Sequence, residues 1–137
     1  MTSGPGPDDR SPAPGKARRI AGKRADLSGR AAEERVVTEY KGRGYTLIAS
    51  RWRGQGGEID LIFGKDEQVI FAEVKKARTI DAAIHSLRPA QMRRIHNAAS
   101  EFLDTMPKGQ LTEVRFDLAA MDETGKIQLI VDAFSHF

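Results

Sequence analysis

The sequence has no cysteine among its 137 residues, which excludes a disulfide framework and a thiolate metal site. It has no apolar run of about 18 residues, the length that would predict a membrane-spanning helix. The N-terminal residues lack the apolar stretch of a secretory signal, so we expect a cytoplasmic protein. No phosphate-binding glycine loop or nucleophile elbow occurs, and the three histidines lack metal-ligand spacing. Carboxylates and amines are therefore the groups to examine.

The charge of the chain is concentrated at its N-terminus. Residues 1–26 hold six basic and three acidic residues, a surplus equal to the +3 of the whole chain. This segment is rich in proline, glycine and serine, which predicts a disordered tail over 1–26. The tail either aids solubility or acts as a basic arm that contacts phosphates. The length predicts a single domain after it, over 27–137.

Hydrophobic periodicity predicts an α/β fold with the order α-β-β-β-α-β-β. The first helix should cover 28–43, with Ser28 as N-cap and Gly44 as its stop. Helices should pack on one mixed central sheet. Residues 79–87 are either helical or irregular. The remaining predicted elements are strands at 45–53, 58–64, 68–76, 112–122 and 126–134, and a helix at 89–104.

The second and third strands, within GGEIDLIFGKDEQVIFAEVKK (56–76), carry charged residues among apolar ones. Because strand side chains alternate, Asp60 lies on the face of Ile62, and Glu73 and Lys75 lie on the face of Phe71. A register that opposes Ile62 to Phe71 would also oppose Asp60 to Glu73. The turn permits other registers, including some that separate the two acids.

Two partly buried carboxylates on opposed strand positions, with β-carbons about 4.5–5.5 Å apart, repel each other and resist desolvation. Lys75 can offset one charge. Mg²⁺ or Mn²⁺ can offset two, and both cations favour oxygen ligands. Such a site can activate water and stabilise an oxyanion. The alternative for Asp60, Glu73 and Lys75 is a structural network of salt bridges.

A third carboxylate comes from the first helix. On a helical wheel Glu33 lies between Val36 and Val37, in the middle of the apolar stripe, and should point at the sheet. If this helix covers the same sheet face as the two strand acids, Glu33 could join them.

The same strands resemble those of the bacterial YraN family, which has a GEIDLI strand followed by a VFVEVK strand. RGYTLIASRWR and VRFDLAAMD resemble further stretches of that family. The family looks like a branch of the PD-(D/E)xK nuclease superfamily, similar to archaeal Holliday junction resolvases. The resemblance implies a restriction-endonuclease-like core, metal-dependent hydrolysis of DNA with branched DNA as one candidate substrate, and a homodimer.

The resemblance also implies residue roles. Asp60 and Glu73 would bind Mg²⁺ or Mn²⁺, with Glu33 as a direct or water-mediated ligand. The carbonyl of Val74 would be a further ligand. Lys75 would act on the attacking water or on the phosphate.

Three other residues are predicted to contact nucleic acid. Arg53 and Arg78 lie nearest the predicted site and would bind phosphates without reading sequence. Gln91 either caps the core or contacts the catalytic pocket. A non-cleaving nucleic-acid-binding or adaptor module with the same fold is the alternative function.

Overall fold

The computed structural model describes residues 15–136 and, from residue 29 onwards, their side chains. The elements follow the order α-β-β-β-α-α-β-β, which adds one short helix to the predicted order. None of the helices between residues 15 and 136 is long and apolar enough to cross a membrane. In chain order the elements are α1 (Gly15–Gly42), β1 (Thr46–Arg53), β2 (Glu58–Lys65), β3 (Gln68–Lys76), α2 (Ile80–His85), α3 (Pro89–Leu103), a 3₁₀ turn (Gly109–Leu111), β4 (Val114–Met121) and β5 (Ile127–Ile130).

The five strands form one open sheet in the order β1-β2-β3-β4-β5. Only β3 and β4 are parallel, and the other neighbours are antiparallel. A parallel pair needs a long crossover connection, which α2 and α3 supply. The mixed α/β fold predicted from the sequence is confirmed, and it is compatible with a restriction-endonuclease-like core.

The register between β2 and β3 is one of those that the sequence left open. Ile62 pairs with Phe71, and the ladder continues to Leu61 opposite Ala72. There the regular pairing ends, and the N–H of Val74 donates to Oδ2 of Asp60 at 2.8 Å. A carboxylate therefore takes the place of a backbone acceptor where the β2–β3 ladder stops.

Helices cover both faces of the sheet. Val36 of α1 packs in a cluster with Phe63 on one face, and Phe102 of α3 packs with Phe71 on the other. Each face is a separate buried core, which explains why β2 and β3 are apolar on both sides.

Helix α1 begins at Gly15, well before the predicted start at Ser28. The residues after Pro14 are rich in alanine, arginine and lysine, which are strong helix formers. The predicted tail overlaps α1 from residue 15, and residues 1–14 lie outside the described residues. The division of the chain at residue 26 stays a prediction.

A buried polar cluster ties α1 to β4. The carboxylate of Asp117 is 0% exposed. It accepts hydrogen bonds from the Tyr40 hydroxyl at 2.8 Å and the Asp132 N–H at 2.9 Å. Arg115 donates to it from Nε and Nη2, both at 2.8 Å. Burial and the charge of Asp117 raise the pKa of Tyr40, which stays a hydroxyl donor. The cluster fixes α1, and with it Glu33, against the sheet.

Candidate functional site

Three charged residues of β2 and β3 converge at the end of the hairpin away from its turn. Asp60 and Glu73 are only 5% and 3% exposed, and the two carboxyls are close enough to affect each other's pKa. Nζ of Lys75 lies 3.4 Å from Oε2 of Glu73. The sequence analysis predicted this convergence, and the structure shows a compact group of two acids and one amine.

The two acids are costly to ionise together. Burial raises the pKa of Glu73 well above its usual range, the charge of Asp60 raises it further, and the charge of Lys75 opposes both. Burial also raises the pKa of Asp60, against the hydrogen bond from the Val74 N–H. A dication bound between the two acids would lower both pKa values and favour the ionised carboxylates, because it offsets two negative charges at once.

A cavity of about 190 Å³ opens onto the acids. Helix α3 forms one wall, where Nε2 of Gln91 donates to Oε2 of Glu73 at 2.7 Å. Gln91 therefore contacts the pocket rather than only capping the core. The sequence analysis did not select Arg94 for the site, although its i+3 spacing from Gln91 places both on one helix face. The lining residues are Glu58, Asp60, Glu73, Gln91, Arg94 and Ile95.

Glu33 lies on the α1 side of the sheet, and its part in a metal site stays a prediction. Helix α1 covers the opposite sheet face from α3, and Oε1 of Glu33 accepts from Nε of Arg51 at 3.0 Å. Glu33 is nonetheless buried, as its position in the apolar stripe predicted. Burial raises its pKa, the Arg51 hydrogen bond lowers it, and the charge of Asp60 raises it again. Glu33 thus lies beside the site, with its carboxylate held by Arg51.

The backbone of β1 is irregular next to Asp60. Arg51 has φ +51°, a left-handed conformation that residues other than glycine rarely adopt. In a regular strand, residues three apart point to opposite faces. Ala49 and Trp52 nevertheless both pack against the hydrophobic cluster on the α3 side of the sheet. Such strain is often found at functional sites. Here the left-handed residue lies where the side chains of β1 change from one sheet face to the other, and this change directs the Arg51 side chain to Glu33.

The loop that leads into β2 is anchored on α3. Both carboxylate oxygens of Glu101 accept backbone hydrogen bonds, from Gln55 at 2.8 Å and from Gly56 at 2.6 Å. A Cβ on Gly57, at φ +155°, would lie 3.2 Å from the Arg94 carbonyl oxygen. The close approach requires glycine at this position and fixes the start of β2 beside the cavity.

Arg53 and Arg78, the preferred phosphate contacts, are both exposed. Nη2 of Arg53 lies 3.5 Å from Oε2 of Glu58. Neither arginine lines the cavity that holds the acids. Their contact with nucleic acid stays a prediction.

The oxygen ligands at the cavity fit a hard dication that keeps part of its water shell. In the described part of the chain, no group of three or more His, Cys, Asp or Glu side chains is arranged to hold a metal ion. Asp60 and Glu73 form a pair. Mg²⁺ commonly binds through one or two carboxylates and completes its shell with water and substrate oxygens. The pair fits that mode of binding.

Changing Glu73 to Gln should stabilise the metal-free protein at high pH. The folded-state pKa is raised, so wild-type stability is greatest below the unfolded pKa and falls as pH rises through the folded value. The substituted amide cannot ionise, so it avoids the cost of ionising the buried carboxyl, which is about 1.4 kcal/mol for each unit by which the pKa is raised. We expect a gain of about 1 kcal/mol or more at pH 8, in EDTA, that disappears towards pH 4, measured by urea unfolding.

The exposed Glu34 provides a control for that measurement. Glu34→Gln should change the free energy of unfolding little at either pH. A Glu73→Gln protein no more stable than wild type at pH 8 would contradict the costly ionisation inferred for the pair.

Sequence comparison gives the family. The model of "Uncharacterised protein family UPF0102" matches residues 32–121, a range that includes Glu33, Asp60, Glu73 and Lys75. A UPF0102 protein of Ruegeria pomeroyi is 48% identical over 121 residues, covering 88% of this chain and 98% of its own. One from Dinoroseobacter shibae is 45% identical over 117 residues, covering 85% and 87%. One from Cereibacter sphaeroides is 46% identical over 116 residues, covering 85% and 99%. The YraN-like part of the resemblance is thereby confirmed, and the chain belongs to the UPF0102 family.

Proposed function

We propose that the protein is a Mg²⁺- or Mn²⁺-dependent endonuclease that hydrolyses phosphodiesters of DNA. The observation that carries this proposal is the convergence of Asp60, Glu73 and Lys75 beside a cavity. A structural ion pair would need only one carboxylate for Lys75. The second buried carboxylate adds a negative charge that Lys75 does not offset, and functional sites commonly retain such costly groups.

Asp60 and Glu73 would hold the cation, with the carbonyl of Val74 and the carboxylate of Glu33 as further candidates. When bound, the cation supplies charge neutralisation and lowers the pKa of a coordinated water. The N–H of Val74 fixes the orientation of Asp60 through the 2.8 Å hydrogen bond. The protein therefore prepares one carboxylate with a backbone donor before any ligand arrives.

Lys75 and Gln91 act on the other carboxylate. Both contact Oε2 of Glu73, from 3.4 Å and 2.7 Å. Gln91 thereby orients Glu73. Lys75, which is 12% exposed, would hold the attacking water or a phosphate oxygen by a charge-assisted hydrogen bond.

The basic residues around the cavity would bind the substrate backbone. Arg94 lies on the cavity wall and would contact the phosphate next to the scissile bond. Arg53 and Arg78 would bind phosphates farther out. Contacts of this kind set position and salt-dependent affinity and carry no sequence information.

The sheet order and the acids on neighbouring strands support membership of the PD-(D/E)xK superfamily. Likeness to archaeal Holliday junction resolvases suggests branched DNA as the substrate and a cytoplasmic location. A two-fold symmetric junction would suit a homodimer, because an isologous dimer presents two identical sites. These finer assignments rest on analogy of fold and motif.

Incubation with four-way junction, flap and linear duplex DNA tests the proposal. We expect cleavage with Mg²⁺ or Mn²⁺ and none in EDTA, with the junction cut most readily. Glu73→Gln protein purified in parallel controls for contaminating nucleases and should give no products. Salt-sensitive binding to all three DNAs without cleavage in either cation would replace the enzyme with a non-cleaving binding module.

A further inference from the structure

Helix α1 extends far to the N-terminal side of the residues it buries. Its described buried residues are Ala32, Glu33, Val36 and Tyr40, whereas the helix begins at Gly15. At about 1.5 Å per residue, positions 16 to 30 span about 21 Å along the axis. The family model matches from residue 32 onwards, so this half of the helix lies outside the matched range.

Four basic residues recur along one line of this half. Lys16, Arg19, Lys23 and Arg30 are separated by three, four and seven residues, which places them within about 60° of arc around the axis at about 100° per residue. We call these four the basic stripe. Arg30, the member whose side chain the structure describes, is exposed. On a helical wheel the four stripe positions lie outside the arc of the buried positions 32, 33, 36 and 40.

The stripe ends at a cavity on the α1 side of the sheet. Arg30 lines a cavity of about 320 Å³ together with Glu33, Ser50 and Arg51. Arg51 lies between Ser50 and Trp52 of β1, which pair with Leu61 and Ile59 on either side of Asp60. A polyanion that followed the stripe towards its C-terminal end would arrive beside the proposed site.

We propose that the basic stripe binds the phosphates of a duplex arm of the DNA substrate and guides the adjoining strand to the acids. This inference rests on the proposed nuclease function. A span of about 21 Å matches about six base pairs of duplex at about 3.4 Å each. Regularly spaced cations on a helix complement a regularly charged backbone.

The composition of this half of α1 favours DNA over an anionic membrane. A helix that lies in a membrane surface needs an apolar face with large side chains such as Trp, Phe or Leu. Over residues 15–30 the large apolar residues are Ile20 and Leu27 alone. The remaining apolar positions are alanines, which bury little surface.

Binding of duplex and four-way junction DNA in EDTA tests the stripe without any cleavage. The variant Lys16→Gln/Arg19→Gln/Lys23→Gln removes three stripe charges and keeps good helix formers. The matched control, Arg10→Gln/Arg18→Gln/Arg24→Gln, removes the same charge. Its two helical positions lie at least about 80° outside the stripe. Fluorescence anisotropy from about 50 to 200 mM salt gives both the affinity and its salt dependence.

The stripe variant should bind DNA at least about tenfold more weakly than wild type, and its plot of log affinity against log salt should flatten by about 2–3 units. The control should stay within a small factor of wild type. Equal losses in both variants would show that net charge alone matters and would overturn the proposal. No loss in the stripe variant, or lost affinity for phosphatidylserine vesicles with DNA binding intact, would overturn it as well.

A separate assay keeps this inference apart from the proposed function. Mn²⁺-dependent hydrolysis of the small substrate bis(p-nitrophenyl) phosphate should be equal in wild type and both variants, because this substrate does not reach the stripe. If wild type fails to hydrolyse any phosphodiester, the nuclease proposal fails. The stripe is still judged by the binding data in EDTA.

Discussion

Asp60→Asn protein is expected to lose Mn²⁺-dependent DNA cleavage by about 100-fold or more, because metal-ion catalysis contributes several kcal/mol and each 1.4 kcal/mol is about tenfold in rate. Asparagine keeps an oxygen that can accept from the Val74 N–H, at 2.8 Å in the wild type. The fold should therefore survive while one negative charge for the cation is lost. Initial rates on the preferred DNA substrate provide the measurement.

Two further variants, Asp66→Asn and Lys75→Met, identify the cause of the lost cleavage. Asp66→Asn makes the same chemical change at the exposed turn of the same hairpin and should leave the rate unchanged. Lys75→Met should abolish cleavage but retain Mn²⁺ binding, since the amine acts on water or phosphate. Asp60→Asn should lose both, as followed by isothermal titration of Mn²⁺. An Asp60→Asn enzyme with wild-type rates would remove this acid from the mechanism.

The second large effect concerns stability. Asp117→Ala should lower the free energy of unfolding by about 3–5 kcal/mol, the usual cost of removing one partner of a buried charge pair. The change leaves the buried Tyr40 hydroxyl without its acceptor and the Arg115 guanidinium without its charged partner. For a domain of this size, the melting temperature should fall by about 10–20 °C. Urea and thermal unfolding followed by circular dichroism measure both quantities.

Graded controls separate the cluster from a general effect of losing an acid. Tyr40→Phe removes one hydrogen bond and should cost about 1–2 kcal/mol. Asp81 is exposed and lies in the first turn of α2. Asp81→Ala should lower the free energy of unfolding by less than about 1 kcal/mol. If Asp117→Ala were as stable as Asp81→Ala, the cluster would not be the anchor between α1 and β4.

The two strands of the hairpin were predictable from their local pattern, whereas the sequence left their register open and the turn conformation decides it. Two apolar stretches flank a two-residue loop, Asp66–Glu67, in which both residues have positive φ of +51° and +67°. This is the conformation of a tight turn that matches strand twist. It fixes Lys65 opposite Gln68 and every later pair, including Ile62 with Phe71. The convergence of Asp60 and Glu73 follows from that register.

Other parts of the site depend on contacts that no local pattern reveals. The helical wheel correctly predicted that Glu33 is buried. The sheet face that α1 covers cannot be read from the periodicity of the helix. The left-handed Arg51 has no sequence signal of its own, since arginine rarely adopts that conformation. The Tyr40–Asp117 hydrogen bond joins residues 77 positions apart. Such pairs are set by tertiary packing.

The position of the acids has a physical logic. Glu73 and Asp60 lie where the β2–β3 ladder ends. The Val74 N–H has no backbone acceptor on β2 there, so the Asp60 carboxylate can accept from it. The apolar core on either side limits water and raises both pKa values. The same burial that destabilises the free protein would strengthen its hold on a dication.

Anomalous scattering from crystals soaked in Mn²⁺ tests the central claim most directly. We expect a peak within bonding distance of one oxygen from Asp60 and one from Glu73. Crystals of Asp60→Asn should lack the peak. Occupied Mn²⁺ sites elsewhere on the protein, with no peak beside Asp60 and Glu73, would contradict the proposed metal site.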